Sequence, residues 1–501
     1  MKRYLTFIVL LACTVASAQN LNDLLRYSQE NLQGTARFQG MGGAFGALGG
    51  DLSALNINPA GSAVFNNSQF TVSGSNYHTD NTATYFGTGR SANENNFNLN
   101  QVGGVFVFKS RNDSDWKKMA LAINYDMVQS FDDEYRISGT SDQGIDNYFL
   151  NYADGVVPFN SILIQDGEYI ENAYLDIGAY QGFTDQQAFL GYYGGIIDPV
   201  GEDDTTTDYI RNASYSNVNQ DYARYTSGYN SKFNLNFATQ YQNNLYLGAS
   251  LNFHTVFYDQ FDEIRETGYD SGSAIQRTDF SNFLHTEGSG FSFNLGAIAK
   301  VNQNIRVGGS YQSPTWYRLT DDLSQRINSD LADSEINFIN HDIINLFEEY
   351  TIKTPAKLTG SVALIFGRDG LLSFDYDYQD MSQAELRPTS DSSFSTVNSE
   401  IANNLDGVSS FRLGGEYRIE RVSLRAGYRF EQSPYADGNN IGDLNAYSGG
   451  IGYNFGGSRL DLAYNRTERD YNLQLFDTGL PTPALINKQN TNITLSYTLN
   501  F

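Results

Sequence analysis

The sequence predicts an all-β fold, a transmembrane antiparallel β-barrel of about 14 strands with a short N-terminal hatch, and three observations indicate it. Apolar and polar residues alternate with a period of two along most of the chain after residue 68. Short and long connections also alternate between these segments. The composition combines 35 Tyr, 33 Phe and 47 Gly with a mean hydropathy of −0.42, and no apolar run reaches the about 18 residues that a spanning helix needs.

The alternation is clear in three segments, NLYLGASLNFHTVFYD, FSFNLGAIAKV and NITLSYTLNF. In the first, every second residue from Leu245 to Phe253 is apolar, and the residues between them are mostly polar or small. Such a strand presents one face to lipid and the other to a watery lumen. The last segment ends the chain on an aromatic residue, Phe501, which is typical of a closing barrel strand. The predicted strands begin near Ser68, Asn95, Lys117, Arg224, Leu245, Phe283, Ile305, Tyr350, Leu371, Gly407, Val422, Ala446, Arg459 and Thr491.

The connections between the predicted strands favour a membrane barrel over a soluble sandwich. Short polar turns such as YQNN, VNQN, GRDG, RIER and FGGS join strands in pairs. Longer links separate those pairs, as expected for short periplasmic turns and long outer loops. Many predicted strands exceed the about nine to eleven residues of a tilted crossing, so they should project beyond the bilayer. The long links lie at about 138–223, 268–282, 327–349, 388–406 and 476–488.

The charge and the cysteine content exclude several classes of protein. The formal net charge of −25 excludes nucleic-acid binding, which needs clustered Lys and Arg side chains to neutralise phosphates. The chain has a single cysteine, Cys13, near its N-terminus. Disulfides, thiolate metal sites and a cysteine nucleophile are therefore not expected in the mature chain.

The N-terminal segment MKRYLTFIVLLACTVASAQN resembles a secretory signal peptide. It has a basic start, an apolar core and a small-residue cleavage site at Ala16–Ala18, which predicts a signal peptide at residues 1–18 and a mature chain from Gln19. Processing as a lipoprotein at Cys13 is the alternative, and the better-formed Ala-x-Ala site argues against it. The predicted location is the outer membrane of a Gram-negative bacterium, with multiple crossings.

No motif predicts catalysis, a cofactor or a metal site. Ser250, Asn252 and His254 share one strand face, but Ser250 and His254 would lie about 13 Å apart, whereas a nucleophile and its base need about 3 Å. The acidic stretch GEDDTTTD lacks the spacing of a calcium loop, so a solvated outer loop is the favoured interpretation. The protein is expected not to be an enzyme and to carry no cofactor and no metal.

The glycine-rich segment RFQGMGGAFGALGGDLSALNINPAG precedes the first predicted strand. It lacks the third glycine of a dinucleotide-binding fingerprint and the Lys-Ser/Thr ending of a P-loop. Ahead of a barrel too wide to be filled by its own side chains, such a compact segment is typical of a plug. We therefore predict a hatch at residues 19–67, with a short helix within Asn22–Leu32, and a barrel at residues 68–501. A loose periplasmic tail is the alternative.

Together, the glycine run, the tripeptide Asn58-Pro59-Ala60 and the 14 predicted strands resemble the FadL-type family of outer-membrane hydrophobic-compound transporters. The resemblance implies that Asn58, Pro59 and Ala60 form the hatch motif of that family. It also implies that a hydrophobic ligand, such as a long-chain fatty acid, is captured outside, passes the hatch and leaves sideways through the barrel wall without an energy source. The large acidic outer loop at about 138–223 departs from that pattern.

Two groups of residues are candidates for contact with a ligand. Apolar hatch residues would form a pocket for a hydrocarbon chain, whose transfer from water contributes about 0.8 kcal/mol per methylene; the candidates are Phe38, Met41, Phe45 and Leu48. Inward-facing arginines would bind an anionic group, unless they pair with neighbouring glutamates; the candidates are Arg412, Arg418, Arg425 and Arg429.

The predicted function is passive, hatch-gated transport of hydrophobic small molecules, fatty-acid-like or aromatic, across the outer membrane. Two alternatives remain from the sequence: a barrel that anchors a surface or secretion complex, and a nonspecific porin. The expected partners are a hydrophobic small-molecule ligand, outer-membrane lipid and lipopolysaccharide, and no nucleic acid. A monomer is expected.

Overall fold

The computed structural model describes residues 21–110, 114–391 and 393–501, and their chain closes into an antiparallel barrel of 14 wall strands. The first strand pairs with the last from Gln69↔Asn500 to Thr84↔Leu485, which closes the sheet. The predicted fold class is confirmed. The predicted signal peptide at residues 1–18 and Cys13 lie outside the described residues. No helix in the described part of the chain has the length and apolar content to cross a membrane.

The described helices and strands are distributed along the whole chain. The α-helices are α1 (Leu21–Ser28), α2 (Ala36–Gly40), α3 (Asp146–Ala153), α4 (Ile170–Tyr180), α5 (Phe183–Tyr193) and α6 (Ser393–Asn404). The strands are β1 (Gln69–Tyr85), β2 (Thr88–Lys109), β3 (Trp116–Ser130), β4 (Asp133–Ser141), β5 (Ile197–Pro199), β6 (Tyr209–Arg211), β7 (Val218–Tyr241), β8 (Leu245–Thr267), β9 (Arg277–Lys300), β10 (Ile305–Gln312), β11 (Trp316–Ser329), β12 (Asn345–Leu346), β13 (Tyr350–Lys353), β14 (Lys357–Phe366), β15 (Gly370–Asp380), β16 (Glu385–Arg387), β17 (Gly407–Ile419), β18 (Val422–Glu431), β19 (Leu444–Asn454), β20 (Ser458–Leu473) and β21 (Ala484–Asn500).

Three wall strands are each made of two consecutive segments, namely β3–β4, β10–β11 and β13–β14. Pro314 lies between β10 and β11, and Pro355 lies between β13 and β14. Because proline has no N–H to donate to a ladder, each proline interrupts its strand. Thr315 and Thr354 bridge the two interruptions, since the backbone N–H of Thr354 donates to the carbonyl of Thr315 at 3.0 Å.

The period-two alternation is arranged as expected, with apolar side chains outside and polar side chains inside. On β8, Leu251 and Phe253 are 46 % exposed, whereas Ser250 and Asn252 are 1 % exposed. The outward positions of β8 become polar at Asp259, with Phe261 as the last aromatic residue of that face, and the strand continues to Thr267. The upper part of β8 therefore lies outside the hydrocarbon layer, as predicted for these long strands.

The long outer connection, predicted at about 138–223, spans residues 142–217, because β4 and β7 extend further than the alternation indicated. The inner side chains of these strand ends, Ile137 of β4 and Val218 and Tyr222 of β7, are buried in an apolar cluster with the residues of the loop. Residues 142–217, which we call the cap, contain α3, α4, α5 and a small ribbon of β5 and β6. Its apolar core, including Phe149 and Phe189, packs on the upper wall strands around Phe280.

The wall is interrupted between β2 and the β3–β4 strand. The β2–β3 ladder runs from Lys109↔Lys118 up to Gln101↔Asp126 and stops there. Above it, and within the described strands, the backbone of the upper half of β2 pairs only with β1 and that of β4 only with β7. A side-chain hydrogen bond from Arg90 of β2 to Ser138 of β4 at 2.6 Å crosses the space between them. We call this interruption the wall break.

Candidate functional site: the hatch, the lumenal cavities and the wall break

The tripeptide Asn58-Pro59-Ala60 fastens the lower hatch to the wall. The side chain of Asn58 accepts a hydrogen bond from the N–H of Ala60 at 3.1 Å, and Pro59 starts the 3-10 turn Pro59–Val64. The amide nitrogen of Asn58 donates to the carbonyl of Gly46 at 2.8 Å and to that of Ala297 on β9 at 3.0 Å. The tripeptide is thus a capping and docking element, and its role as a hatch motif stays a prediction.

Inward-facing glycines of the wall let the hatch backbone approach closely. A Cβ at Gly248 on β8 would lie 2.5 Å from the backbone nitrogen of Ala60. A Cβ at Gly427 on β18 would lie 2.3 Å from the backbone nitrogen of Gly42. Any larger side chain at these two positions would displace the hatch, so the glycines form a bed for residues 34–65, which we call the hatch base.

The apolar hatch residues pack against one another and against the wall. Phe38, Met41, Phe45 and Leu48 are all at most 3 % exposed and form one cluster with wall residues of β14 and β15. The rings of Phe38 and Phe45 lie 5.5 Å apart. Full burial of such side chains contributes about 1.5–3 kcal/mol each. Of these four pocket candidates, Phe38 also lines a lumenal cavity; a ligand role for them remains a prediction.

A buried ion-pair network joins the hatch base to the wall. Arg37 of α2 donates from Nε to Glu416 of β17 at 2.9 Å, and Arg425 of β18 donates to the same carboxylate at 2.7 Å. Arg425 also donates to Asp461 of β20 at 2.8 Å. Removing one member of such a network would leave an uncompensated buried charge, so the network holds the hatch base firmly.

The four lumenal arginines predicted to bind an anion are all ion-paired within the protein. Arg425 and Arg418 pair with Glu416, Arg412 pairs with Asp377 at 2.7 Å, and Arg429 pairs with Glu431 at 2.6 Å. Anion binding by these arginines remains a prediction, and their neighbours already supply the negative charge.

The upper part of the N-terminal segment differs from the base. The predicted helix within Asn22–Leu32 ends at Ser28, and α1 packs Leu24, Leu25 and Tyr27 against an apolar cluster of the upper lumen. Residues 29–33, which we call the strap, then cross the lumen to α2 without regular secondary structure. Within the strap, Glu30 pairs with Lys357 of β14 at 2.9 Å.

Two cavities lie on either side of the strap. The inner cavity extends towards β14, β15, β17 and β18, and Phe38 and Lys232 lie in its lining. The gap cavity extends towards β1, β2 and β19–β21. The strap contributes to the lining of both, so it separates one from the other.

The gap cavity reaches the wall break. Its lining includes Glu94 and Asn96 from the upper half of β2, and Gln129 and Ser130 from the end of β3. These two edges carry no backbone ladder between them, and a side-chain hydrogen bond from Asn98 to Ser130 at 3.4 Å spans the space.

A bulge in β3 causes the break. The register of β3 against β7 shifts between Met127 and Gln129, and a bulge of this kind bends a strand. Consecutive residues Met127 and Val128 are both buried, at 7 % and 6 % exposure, whereas a regular wall strand alternates. The strand therefore turns inward at this point and leaves β2 without a partner.

Sequence reasoning missed Lys232 and Glu30, which both line the inner cavity. Lys232 is 5 % exposed on the inner face of β7, and its ammonium forms no hydrogen bond or ion pair with the described residues. The only signal in the sequence is that Lys232 falls on the lumenal face of the alternation.

The trio that resembles a hydrolase set takes part in structural hydrogen bonds. Asn236 donates to Ser250 at 3.0 Å, and Asn252 donates to Ser292 at 3.1 Å. His254 lies 3.2 Å from the Tyr317 hydroxyl. No group of three or more His, Asp or Glu side chains in the described ranges could hold a metal ion.

Comparison with solved structures supports the fold. A FadL homologue of Pseudomonas aeruginosa is similar with a TM-score of 0.55 at 12 % identity, over 94 % of this chain and 99 % of that one. The toluene transporter TodX of Pseudomonas putida follows with a TM-score of 0.48 at 13 % identity, over 95 % and 100 % of the two chains. The toluene transporter TbuX of Ralstonia pickettii has a TM-score of 0.48 at 14 % identity, over 94 % and 99 %.

Comparison of sequences identifies the family. No curated protein sequence matches the chain. A family model described as outer membrane protein transport protein (OMPP1/FadL/TodX) matches residues 204–475, a little more than half of the 501 residues. The chain therefore belongs to the OMPP1/FadL/TodX family of outer-membrane transport proteins.

Proposed function

We propose that this protein moves hydrophobic small molecules passively through the lumenal cavities and out sideways through the wall break. The observation that carries the proposal is that the gap cavity is lined from both edges of the break, by Asn96 of β2 and Ser130 of β3 among others. A molecule in this cavity thus has a route to the membrane that does not cross the hatch base.

The surroundings of the break suit a hydrophobic cargo. Phe97 and Leu99 lie beside it on the outer face of β2 and are 76 % and 47 % exposed. Exposed apolar side chains of this kind face hydrocarbon in a membrane barrel. A molecule that leaves through the break therefore passes directly into an apolar phase, and the gain of about 0.8 kcal/mol per methylene over water drives the step.

The hatch base argues against a nonspecific porin. Gly42 and Ala60 touch the wall at backbone distance, and Arg37 is ion-paired to it. An aqueous path straight through the lumen would require these contacts to open. The expected partners remain as predicted from the sequence: a hydrophobic ligand, membrane lipid and lipopolysaccharide, with the protein as a monomer.

The test closes the break with a short cross-linker. In the mature chain, predicted to lack cysteine, Asn98→Cys and Ser130→Cys are joined by a short bis-methanethiosulfonate reagent. We expect the uptake of a radiolabelled alkane or alkyl alcohol into proteoliposomes to fall at least tenfold and to recover on reduction.

The matched control joins Thr79→Cys to Asn490→Cys. These residues line the same cavity and lie opposite each other on the paired strands β1 and β21. Their cross-link should leave uptake unchanged. Unimpaired uptake with the 98–130 cross-link in place would contradict exit through the break.

A further inference from the structure

We propose that the mouth of the barrel below the hatch base binds a phosphate group through Lys118, Lys300 and Arg306, with Tyr246 among them. All four residues lie within three residues of a strand end, at the short-turn, periplasmic end of the wall. None of them lines the inner cavity or the gap cavity. The inference therefore goes beyond the proposed function and does not depend on it.

Two pairs of like charge meet at this mouth. Lys300 of β9 lies directly opposite Arg306 of β10 in the ladder, and Lys109 of β2 lies directly opposite Lys118 of β3. Like charges in directly opposite positions destabilise a sheet. Each pair therefore gains from an anion that lies close to both of its members.

The ring of Tyr246 on β8 brings the two pairs together. Its centroid lies 5.0 Å from the ammonium nitrogen of Lys300 and 5.9 Å from that of Lys118. The positive charge of Arg306 also acts on Lys118. The cations of β3, β9 and β10 thus share one electrostatic field around a single aromatic ring.

No carboxylate among the described residues balances these charges. The charged groups that act on Lys118 are the cations Lys109, Lys300 and Arg306. The two turns beside the site, QNN at 242–244 and VNQN at 301–304, contain no acidic residue. A partly buried group of cations without an anion is costly, so the mouth favours a ligand that brings negative charge.

Two of the cations also touch the hatch base. Lys118, which is 6 % exposed, donates to the carbonyl of Phe65 at 2.7 Å, and Arg306 donates to the carbonyl of Leu48 at 3.0 Å. Each carbonyl accepts from one N–H group and carries no net charge, whereas an ammonium has three donors and a guanidinium has five. The other side-chain donors of Lys118 and Arg306 form no hydrogen bond with the described residues.

The hydroxyl of Tyr246 is a further donor without a partner. Tyr246 is 2 % exposed, and its side chain packs with Ala60 and Ala63 of the hatch base. Its hydroxyl forms no hydrogen bond with the described residues, although a buried tyrosine hydroxyl usually has a partner. An unsatisfied hydroxyl on the ring that lies beside two ammonium groups indicates a ligand that accepts hydrogen bonds.

A phosphate group matches these donors better than a carboxylate. A phosphate monoester carries a charge of about −1.5 to −2 at pH 7 and three acceptor oxygens that point in different directions. It can therefore accept from ammonium groups, a guanidinium and a hydroxyl on different strands at once. The phosphate belongs to a soluble anion or to the headgroup of a lipid in the periplasmic leaflet, and the test separates these two sources.

The test measures the binding of inorganic phosphate to the full-length protein in phosphatidylcholine nanodiscs by titration calorimetry. We expect saturable binding with a dissociation constant of about 1 mM or below. Lys300→Met should weaken it about tenfold or more, and Tyr246→Phe severalfold, because a charge and a hydrogen bond are lost. Without phosphate, Lys300→Met should not lower the thermal unfolding midpoint, since it removes the like charge opposite Arg306.

Arg459→Met is the matched control. Arg459 is the second residue of β20, at the same end of the wall, and already pairs with Asp461 at 2.6 Å. Its loss should leave the affinity for phosphate unchanged.

A second set of nanodiscs contains phosphatidic acid, whose headgroup is a phosphate monoester. Competition of this lipid with inorganic phosphate would assign the site to a lipid headgroup, and undiminished binding of inorganic phosphate would assign it to a soluble anion. The inference would be overturned if the unaltered protein bound no phosphate saturably, or if Lys300→Met bound it equally well. A lower unfolding midpoint of Lys300→Met without phosphate would also overturn it, because Lys300 would then serve the fold alone.

Discussion

The hatch base and the strap are held in the lumen by different kinds of contact. The hatch base touches the wall through backbone atoms and glycines, as at Gly42 against Gly427, and through the buried Arg37–Glu416 pair. The strap touches the wall through flexible charged side chains, chiefly Glu30 with Lys357. Close packing of the backbone resists small displacements, whereas a side-chain ion pair exchanges for another anion at little cost. The base is therefore held more firmly than the strap.

The largest expected effect is loss of the Glu416 carboxylate in the hatch base. Glu416→Ala leaves Arg37 and Arg425 buried without their shared partner, which should cost about 3–5 kcal/mol of the free energy of unfolding. Thermal unfolding in detergent, followed by the heat-dependent gel shift, measures it. Glu468→Ala, which breaks an exposed pair with Arg466, should cost less than about 1 kcal/mol. An equal loss of stability in Glu416→Ala and Glu468→Ala would show that the buried ion pairs of the hatch base contribute no more than an exposed pair.

A smaller effect is expected from crowding the glycine bed. A side chain at Gly427 meets the hatch backbone, so Gly427→Val should destabilise the protein by about 1–3 kcal/mol and displace the hatch. Single-channel recording should then show ion conductance that the unaltered protein lacks. The control is Gly360→Val, where no atom lies within 4 Å of the added Cβ. Conductance in both variants, or in neither, would show that the glycine at position 427 is not what lets the hatch base seal the lumen.

The smallest effect concerns the cap, where a buried carboxylate has no cationic partner. Glu266 lies at the upper end of β8 beyond the apolar band, accepts hydrogen bonds from Ile145 and Gln220, and has a pKa raised by burial to about 7. The folded protein therefore favours the protonated carboxyl of Glu266. Its contribution to the free energy of unfolding is complete below a pH of about 4.5 and is lost as the pH rises through about 7. Burial also raises the pKa of nearby Asp146, with the same sign.

Limited proteolysis of the cap in the full-length protein measures this pH dependence. Cleavage within residues 142–217 should be several times faster at pH 8 than at pH 5. Glu266→Gln should reduce that difference, and Asp176→Asn, on the exposed face of α4, should not. A cap whose cleavage does not depend on pH would show that Glu266 stays neutral or is stabilised as a carboxylate.

Several features of the fold and the site could be predicted from local sequence. The alternation along β8 and β21 placed the wall strands, because the lipid and the lumen impose a period of two on every crossing. The position of Asn58-Pro59-Ala60 after the glycine run indicated the hatch motif, since capping residues and proline act within a few residues of chain. The strands β4 and β7 extend a few residues into the outer loop predicted at about 138–223, because their upper ends pack on the cap rather than on lipid.

The sequence by itself determined the period-two pattern of the wall, the number of crossings, the acidic character of the chain and the glycines that a close backbone approach requires, because these depend on neighbours in the chain and on the solvent of each face. The tertiary structure alone decided which charged side chains have an ion-pair partner. Lys232 and the four lumenal arginines look alike in the sequence, and only the closed barrel brings Asp377, Glu416, Glu431 and Glu30 to their neighbours. Ion pairing depends on distance in space between residues that lie far apart in the chain, so no local pattern reveals which of these cations forms an ion pair.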